Sequence, residues 1–158
     1  MQRLDINQHS EALAGSLDRF VREARVRLAL LLNRAGQVVA QRGFTRAVDV
    51  MGTAALAAGI HSSSGELARV VGERSFAHLH HKGAERQLFL GRFATPAEEL
   101  LLLAVFDAES SLGLVRVFFE EFAQEVAELP GWKEAAPPQD EAFERDLMDS
   151  LDRLFGSA

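Results

Sequence analysis

Three histidines fall within four residues, at His78, His80 and His81. On a strand, residues i and i+2 share a face, so His78 and His80 have the spacing of two ligands to one metal ion. A site needs a third ligand, and none of suitable type follows at close spacing; the nearest plausible carboxylate is Asp107. A solvent-facing or interface pair on an edge strand accounts for them better, and no metal or other cofactor is expected. His61 precedes Ser62, Ser63 and Ser64, which raises nucleophilic catalysis. The Gly-x-Ser-x-Gly elbow is missing, and a helical residue does not face its immediate neighbour. A phosphate-binding Gly-x-x-x-x-Gly-Lys-[Ser/Thr] loop is also missing, so the chain is not a P-loop nucleotidase. No catalytic residue is assigned, and an enzyme is not expected. Arg34, Arg42, Arg74, Arg86 and Arg92 read as scattered, solvated charges. Arg116 sits near the start of a helix, where the dipole does not favour a cation. Trp132 is either a free anchor or a cover for apolar surface.

The composition suits one small soluble unit. The chain has 158 residues, 47% hydrophobic and 25% charged, which fits one domain with an appendage. A net charge of −6, without a run of Lys or Arg beside aromatics, argues against nucleic acid or an anionic membrane as partner. With no cysteine, thiol chemistry is excluded and a reducing compartment is permitted. The N-terminus lacks the apolar core of a secretory signal, and the longest apolar run, 100–106, is too short to span a bilayer. A cytoplasmic location without membrane insertion is the expectation.

The most distinctive stretch is GTAALAAGIHSSSGE, residues 52–66, in which 11 of 15 residues are Gly, Ala, Ser or Thr. A helix of this kind lets another backbone approach closely, as small-residue faces do in membrane helix pairs. Leu56, Ile60, Leu67 and Val70 follow helical spacing, so the larger side chains are expected to rest on a sheet while the small face meets a partner.

Around it the chain alternates. Leu13, Leu17, Phe20, Val21 and Ala24 make 7–24 an amphipathic helix. Residues 25–32 and 37–42 read as strands joined by a turn ending at Gly36, where positive φ is easiest. The small-residue helix covers about 48–71, with Gly72 as its C-cap. Strands at 75–82 and 86–90 flank Gly83, and 100–106 is a buried strand. The last core helix starts at Ser110 or Ser111, either of which can cap it. It carries Val115, Phe118, Phe119, Phe122, Val126 and Leu129 on one face and stops at Pro130-Gly131. The order α-β-β-α-β-β-β-α predicts an α+β domain with a mostly antiparallel five-stranded sheet. The expected division is a domain over 1–129, a Pro-rich linker over 130–139 and an amphipathic tail over 140–158. The tail's apolar stripe, which includes Phe143, Leu147, Leu151, Leu154 and Phe155, must dock either on its own domain or on another protein.

Two phrases carry a family resemblance. LARVVGERSFAHLHHKGAERQLFL (67–90) holds the pattern Leu-Ala-x-x-x-Gly-Glu, Phe, His-x-Gly at Leu67, Ala68, Gly72, Glu73, Phe76, His81 and Gly83. VFDAESSLGLVRV (105–117) holds Phe106-Asp107 followed by Ser111-Leu112-Gly113-Leu114-Val115-Arg116. Both resemble the roadblock (dynein light chain-like) domain, and the ending ERDLMDSLDRLF is similar to the tail of the MglB-type regulators of bacterial Ras-like GTPases. Two departures stand out: Ala58-Gly59-Ile60 with His61 where the family commonly has Ala-Gly-Asn, and Glu66 where small residues are usual.

The resemblance implies the roadblock fold and a homodimer joined through the small-residue helix and adjacent edge strands. The implied dimer contacts are Ala55, Ala58, Gly59, Ser63, His78 and His80. A local carboxylate partner is implied for Arg116, from its place in the second phrase. The implied partner is a Ras-like small GTPase of the MglA type, touched by Ser62 and Glu66 on the helix and by Leu147, Met148, Leu151, Leu154 and Phe155 on the tail. The implied activity is stimulation of GTP hydrolysis by ordering the GTPase's own active site, with the tail tuning binding or exchange. Two other functions fit the same sequence: a dimeric scaffold for a GTPase or polarity and motility complex without such activity, and a small-molecule sensor using a sheet–helix pocket.

Overall fold

The computed structural model describes residues 2–132 and 148–154. Its elements are α1 (Gln2–Glu23), β1 (Leu28–Asn33), β2 (Val38–Gly43), a 3₁₀ turn (Thr45–Ala47), α2 (Val50–Val70), β3 (His78–Lys82), β4 (Gln87–Ala94), β5 (Glu99–Phe106) and α3 (Leu112–Ala127). The five strands form one sheet in the order β2-β1-β5-β4-β3, antiparallel at every pairing. The α+β class and the element order are those the periodicity predicts. No helix among the described residues is long and apolar enough to cross a membrane.

Alternation along the strands divides the core into two layers. On one face Ala29, Leu31, Phe89, Leu102, Ala104 and Phe106 meet Leu13, Leu17 and Phe20 of α1 and Val115, Phe119, Phe122 and Val126 of α3. On the other face Leu28, Leu30, Leu32, Leu90, Leu101, Leu103 and Val105 are covered by α2 through Ala54, Ala57 and Ala58. A buried methyl contributes roughly 0.8 kcal/mol, against roughly 1.5–3 kcal/mol for a buried Leu or Phe. The second layer is therefore the thinner and weaker one.

Several boundaries move for local reasons. The first strand begins at Leu28 rather than at 25, because Arg25 takes φ 55°. That turn sends the Val26 N–H back to the Val21 carbonyl. The fourth strand runs past Leu90 to Ala94. Gly91 stays in it because a Cβ there would lie 2.6 Å from Phe119 Cζ and 2.8 Å from Phe89 Cε1. Its bareness lets the Phe119 ring lie across the sheet, edge-on to Phe89 at 5.1 Å between centroids.

The caps follow ordinary helix chemistry. Asp49 accepts from the Gly52 N–H at the start of α2, and Ser111 accepts from the Leu114 N–H at the start of α3. Past α2, Gly72 at φ 83° lets the Glu73 N–H reach the Ala68 carbonyl and its own N–H reach Arg69, the paired bonds of a Schellman ending. Trp132 is buried in the first core layer and donates its indole N–H to the Val126 carbonyl at 2.7 Å. His9 packs edge-on to it at 4.3 Å between ring centroids. Of the two roles open to Trp132, covering apolar surface is the one it has, and the packed residues continue three positions beyond 129.

Substituting Gly91→Ala forces Phe119 and Phe89 aside and should cost about 1–3 kcal/mol, the range for overpacking a filled core. A lowered urea midpoint with unchanged slope is the expected reading; an unchanged midpoint would mean that the two rings yield freely.

Candidate functional site

The orientation of α2 is the reverse of the one expected. Ala54, Ala57 and Ala58 face the sheet and Ala68 is buried on the same side of the helix, whereas Leu56, Ile60, Leu67 and Val70 are 71%, 37%, 55% and 82% exposed. The physical reason is spacing. The alanines at 54, 57, 58 and 68 also lie on one helical face, and their short side chains seat the helix close over the tight row of leucines beneath. Four large apolar groups are left on the outside. Leu56, Ile60 and Leu67, with Phe76, Leu79 and His81, line an open groove of about 540 Å³ between α2 and the edge strand β3.

Of the residues expected at a self-contact, Ala55, Gly59 and Ser63 lie on exposed positions of α2, while Ala58 is turned into the sheet contact. His78 and His80 lie on the other side of the sheet. His78 stacks on Phe89 at 5.4 Å, and His80 stacks on Phe106 at 6.1 Å with a 2.7 Å hydrogen bond to Gln87. His81, one residue on, points to the α2 side, so the three histidines do not converge. Partial burial lowers the His78 pKa from its ordinary value, and the Arg116 and His80 charges add to this.

Ser62 and Glu66 are exposed one turn apart on α2. Glu66 is paired with Arg69 on the same helix, so the carboxylate reaches the surface largely balanced. Met148, Leu151 and Leu154 belong to a helical segment, 148–154, and are 61%, 41% and 75% exposed. Leu147 and Phe155 lie outside the described residues. Arg116 is exposed and takes part in none of the ion pairs among the described residues, so the local carboxylate expected for it is not found.

One cluster has no counterpart in the sequence analysis. Glu99, the first residue of β5, lies 3.0 Å from His61 Nε2 on α2, 3.4 Å from Arg92 Nη1 on β4 and 3.9 Å from Arg34 Nε in the β1–β2 turn. Arg92 also donates to the Phe76 carbonyl at 3.1 Å and to the Ser75 hydroxyl. Three parts of the chain distant in sequence meet there, the β1–β2 turn, α2 and the β4–β5 pair, and Arg34 looks like an isolated charge along the chain for that reason.

A second polar knot joins the far ends of β1 and β5. Arg27 Nε donates to Asp107 Oδ2 at 2.6 Å, and the Glu109 N–H donates to Asp107 Oδ1 at 3.0 Å. The Ser110 hydroxyl reaches the Ala24 carbonyl at 2.5 Å. This is the Phe106-Asp107 phrase in three dimensions, a brace that fixes the entry to α3 against the exit of α1.

The Roadblock/LC7 domain family model matches residues 15–107. The chain is a Roadblock/LC7 domain protein. The match runs from within α1 through β5 to Asp107, and the five-stranded sheet with its helices is the roadblock fold. Among solved structures, Myxococcus xanthus MglB is similar at 28% identity and TM-score 0.69, over 75% of this chain and 87% of that one. The gliding protein MglB of Thermus thermophilus is 29% identical at TM-score 0.67, over 75% and 88%. A Roadblock/LC7 domain from Streptomyces avermitilis, 19% identical at TM-score 0.58 over 72% and 91%, shares the fold. No curated protein matches the chain by sequence.

The Glu109 N–H and the Arg27 guanidinium hold the Asp107 pKa below its ordinary 3.8. A carboxyl acidified by folding stabilises the native state above its unfolded pKa, and that stability is lost as pH falls through the lower, folded value. Comparing urea midpoints of the native chain and Asp107→Asn from pH 7 down to pH 2 should show the native advantage shrinking below about pH 4. A constant difference across that range would show that the brace works without the charge.

Proposed function

We propose that this roadblock protein is a non-catalytic regulator of a Ras-like small GTPase and acts as a homodimer. The observation that carries the reading is the outer face of α2: Leu56, Ile60, Leu67 and Val70 stand exposed beside the small residues Ala55, Gly59 and Ser63. Apolar surface of this kind, contiguous with a groove, marks a protein contact. The likeness to MglB proteins at 28–29% identity over three quarters of the chain supports reading that contact as the regulator's platform. Two copies joined there bury the apolar groups along the two-fold axis and leave Ser62 and Glu66 on the rim for the GTPase.

The mode of action follows from what such a platform can offer. With no assigned catalytic group, acceleration comes from binding the hydrolysis-competent arrangement of the GTPase better than its other states. The Arg69 partner of Glu66 makes that rim nearly neutral, so the facing GTPase surface needs no compensating cation. The tail adds a second contact. Residues 133–147 separate Trp132 from the exposed helical stripe of Met148, Leu151 and Leu154. Fifteen residues reach at most roughly 50 Å when extended, which bounds how far from Trp132 that second contact can lie. In this scheme 1–132 is the platform and the rest is a tethered arm.

Leu56→Arg should weaken self-association at least about a hundredfold, or about 2.7 kcal/mol, read by light scattering over a dilution series. An undiminished dimer mass would place the contact elsewhere. For the regulatory claim, GTP turnover by a Ras-like GTPase should rise with added native protein and fall back with Leu56→Arg. Absence of stimulation at saturation leaves a scaffold, not an activator. Removal of 140–158 should leave the fold intact and lower GTPase affinity; equal affinity would take the tail out of the contact.

A further inference from the structure

The alanine face of α2 raises the question of what holds this helix in one position. Ala54, Ala57 and Ala58 on a bed of leucines give the middle of α2 little to interlock as ridges in grooves, and the larger Val50 packs there only at the helix start. The directional contacts from the middle of α2 to the sheet are polar. His61, whose side chain is only 21% exposed, reaches Glu99 at 3.0 Å. Glu99 is in turn fixed from the sheet side by Arg92 and from the β1–β2 turn by Arg34. Arg92 then takes hold of Ser75 and Phe76, the stretch by which the chain leaves α2 for β3.

We infer that Glu99 is a positioning residue: through His61 and Arg92 it sets where α2 sits on the sheet and how the chain returns from it. The exposed groups Leu56, Ile60 and Ser63 belong to the same or adjacent turns as His61, so their placement relative to β3 depends on this carboxylate. Phe76 and Leu79, on the opposite wall of the groove, are placed through Arg92 and the β3–β4 pairing. The carboxylate is suited to the task. It holds His61 and Arg92 by hydrogen bonds at once, with Arg34 as a longer ion pair, and hydrogen bonds to a charged group are stronger than neutral ones. Both partners are half-buried, where exchange with water competes less than at the open surface.

This positioning role belongs to the isolated protein and does not rest on the identity of any GTPase. Hydrogen exchange of the full chain tests it. In Glu99→Ala, amides of residues 54–66 should exchange at least about tenfold faster, with β1 and β5 unchanged, since local opening is read separately from global unfolding. Glu99→Gln, whose amide oxygen still accepts from Arg92 while its NH2 can donate to a neutral His61, should recover part of the protection. His61→Ala should reproduce the effect in the middle of α2 but spare Ser75 and Phe76. The double variant H61A/E99A should protect α2 no less than E99A alone, the non-additivity expected of two ends of one contact. Unchanged exchange in α2 of E99A would overturn the inference. So would equal damage from Gln and Ala, or additive losses in the double variant. If E99A does not fold, His61→Ala and Glu99→Gln decide: a native exchange pattern in H61A refutes the positioning role.

Discussion

The sheet of this protein is supported unequally, and much of the rest follows. One face carries two amphipathic helices whose Leu and Phe side chains interlock with the strands and with each other. The other face is roofed by one helix that touches it through alanines. A side-chain-poor contact brings backbone close to sheet but buries little area per residue. The large apolar groups of that helix are then left on the outside, beside a groove and next to the edge strand β3. A surface of that character is costly to leave in water, and the proposed dimer would cover it.

Polar contacts do what packing does not. At one end of the sheet Glu99 gathers His61, Arg92 and Arg34 and pins the middle of α2. At the other end Asp107 gathers Arg27 and the Glu109 N–H and fixes the turn into α3. The two carboxylates stand at opposite ends of β5, the central strand, and each ties it to elements remote in sequence. A strand with an entirely apolar interior has room for such groups only at its ends. Rigidity of the roadblock scaffold and exposure of its α2 face are therefore compatible.

Most of the architecture is legible along the chain. The periodicities of 3.6 and 2, the turn at Gly36, the ending at Gly72 and the cap at Ser111 all express local rules that hold without tertiary context. The departures are of one kind. Gly91 reads as lying past a strand end because bareness usually weakens a strand, but here it makes room for Phe119. Arg25 reads as part of a strand, yet its left-handed turn is imposed by bonds to Val21 on one side and, through Arg27, to Val105 on the other. Arg34 and Arg92 read as solvated, since nothing in linear order announces that both approach Glu99.

The case of α2 divides the two kinds of information most clearly. Composition alone establishes that residues 52–66, as a helix, are fit for close approach, because small side chains permit it whatever lies opposite. Which side approaches the sheet is not in the periodicity, since alanines and large apolar residues each make a continuous stripe. Tertiary packing chose the alanine stripe for the sheet and left Leu56, Ile60, Leu67 and Val70 for the outside. The same holds for the histidines. Alternation separates His80 from His81, but only the sheet order, with β3 at an edge, decides that His81 joins the groove while His78 and His80 stack on Phe89 and Phe106. Local propensity fixes what each segment is. The three-dimensional competition for buried surface fixes which way it faces.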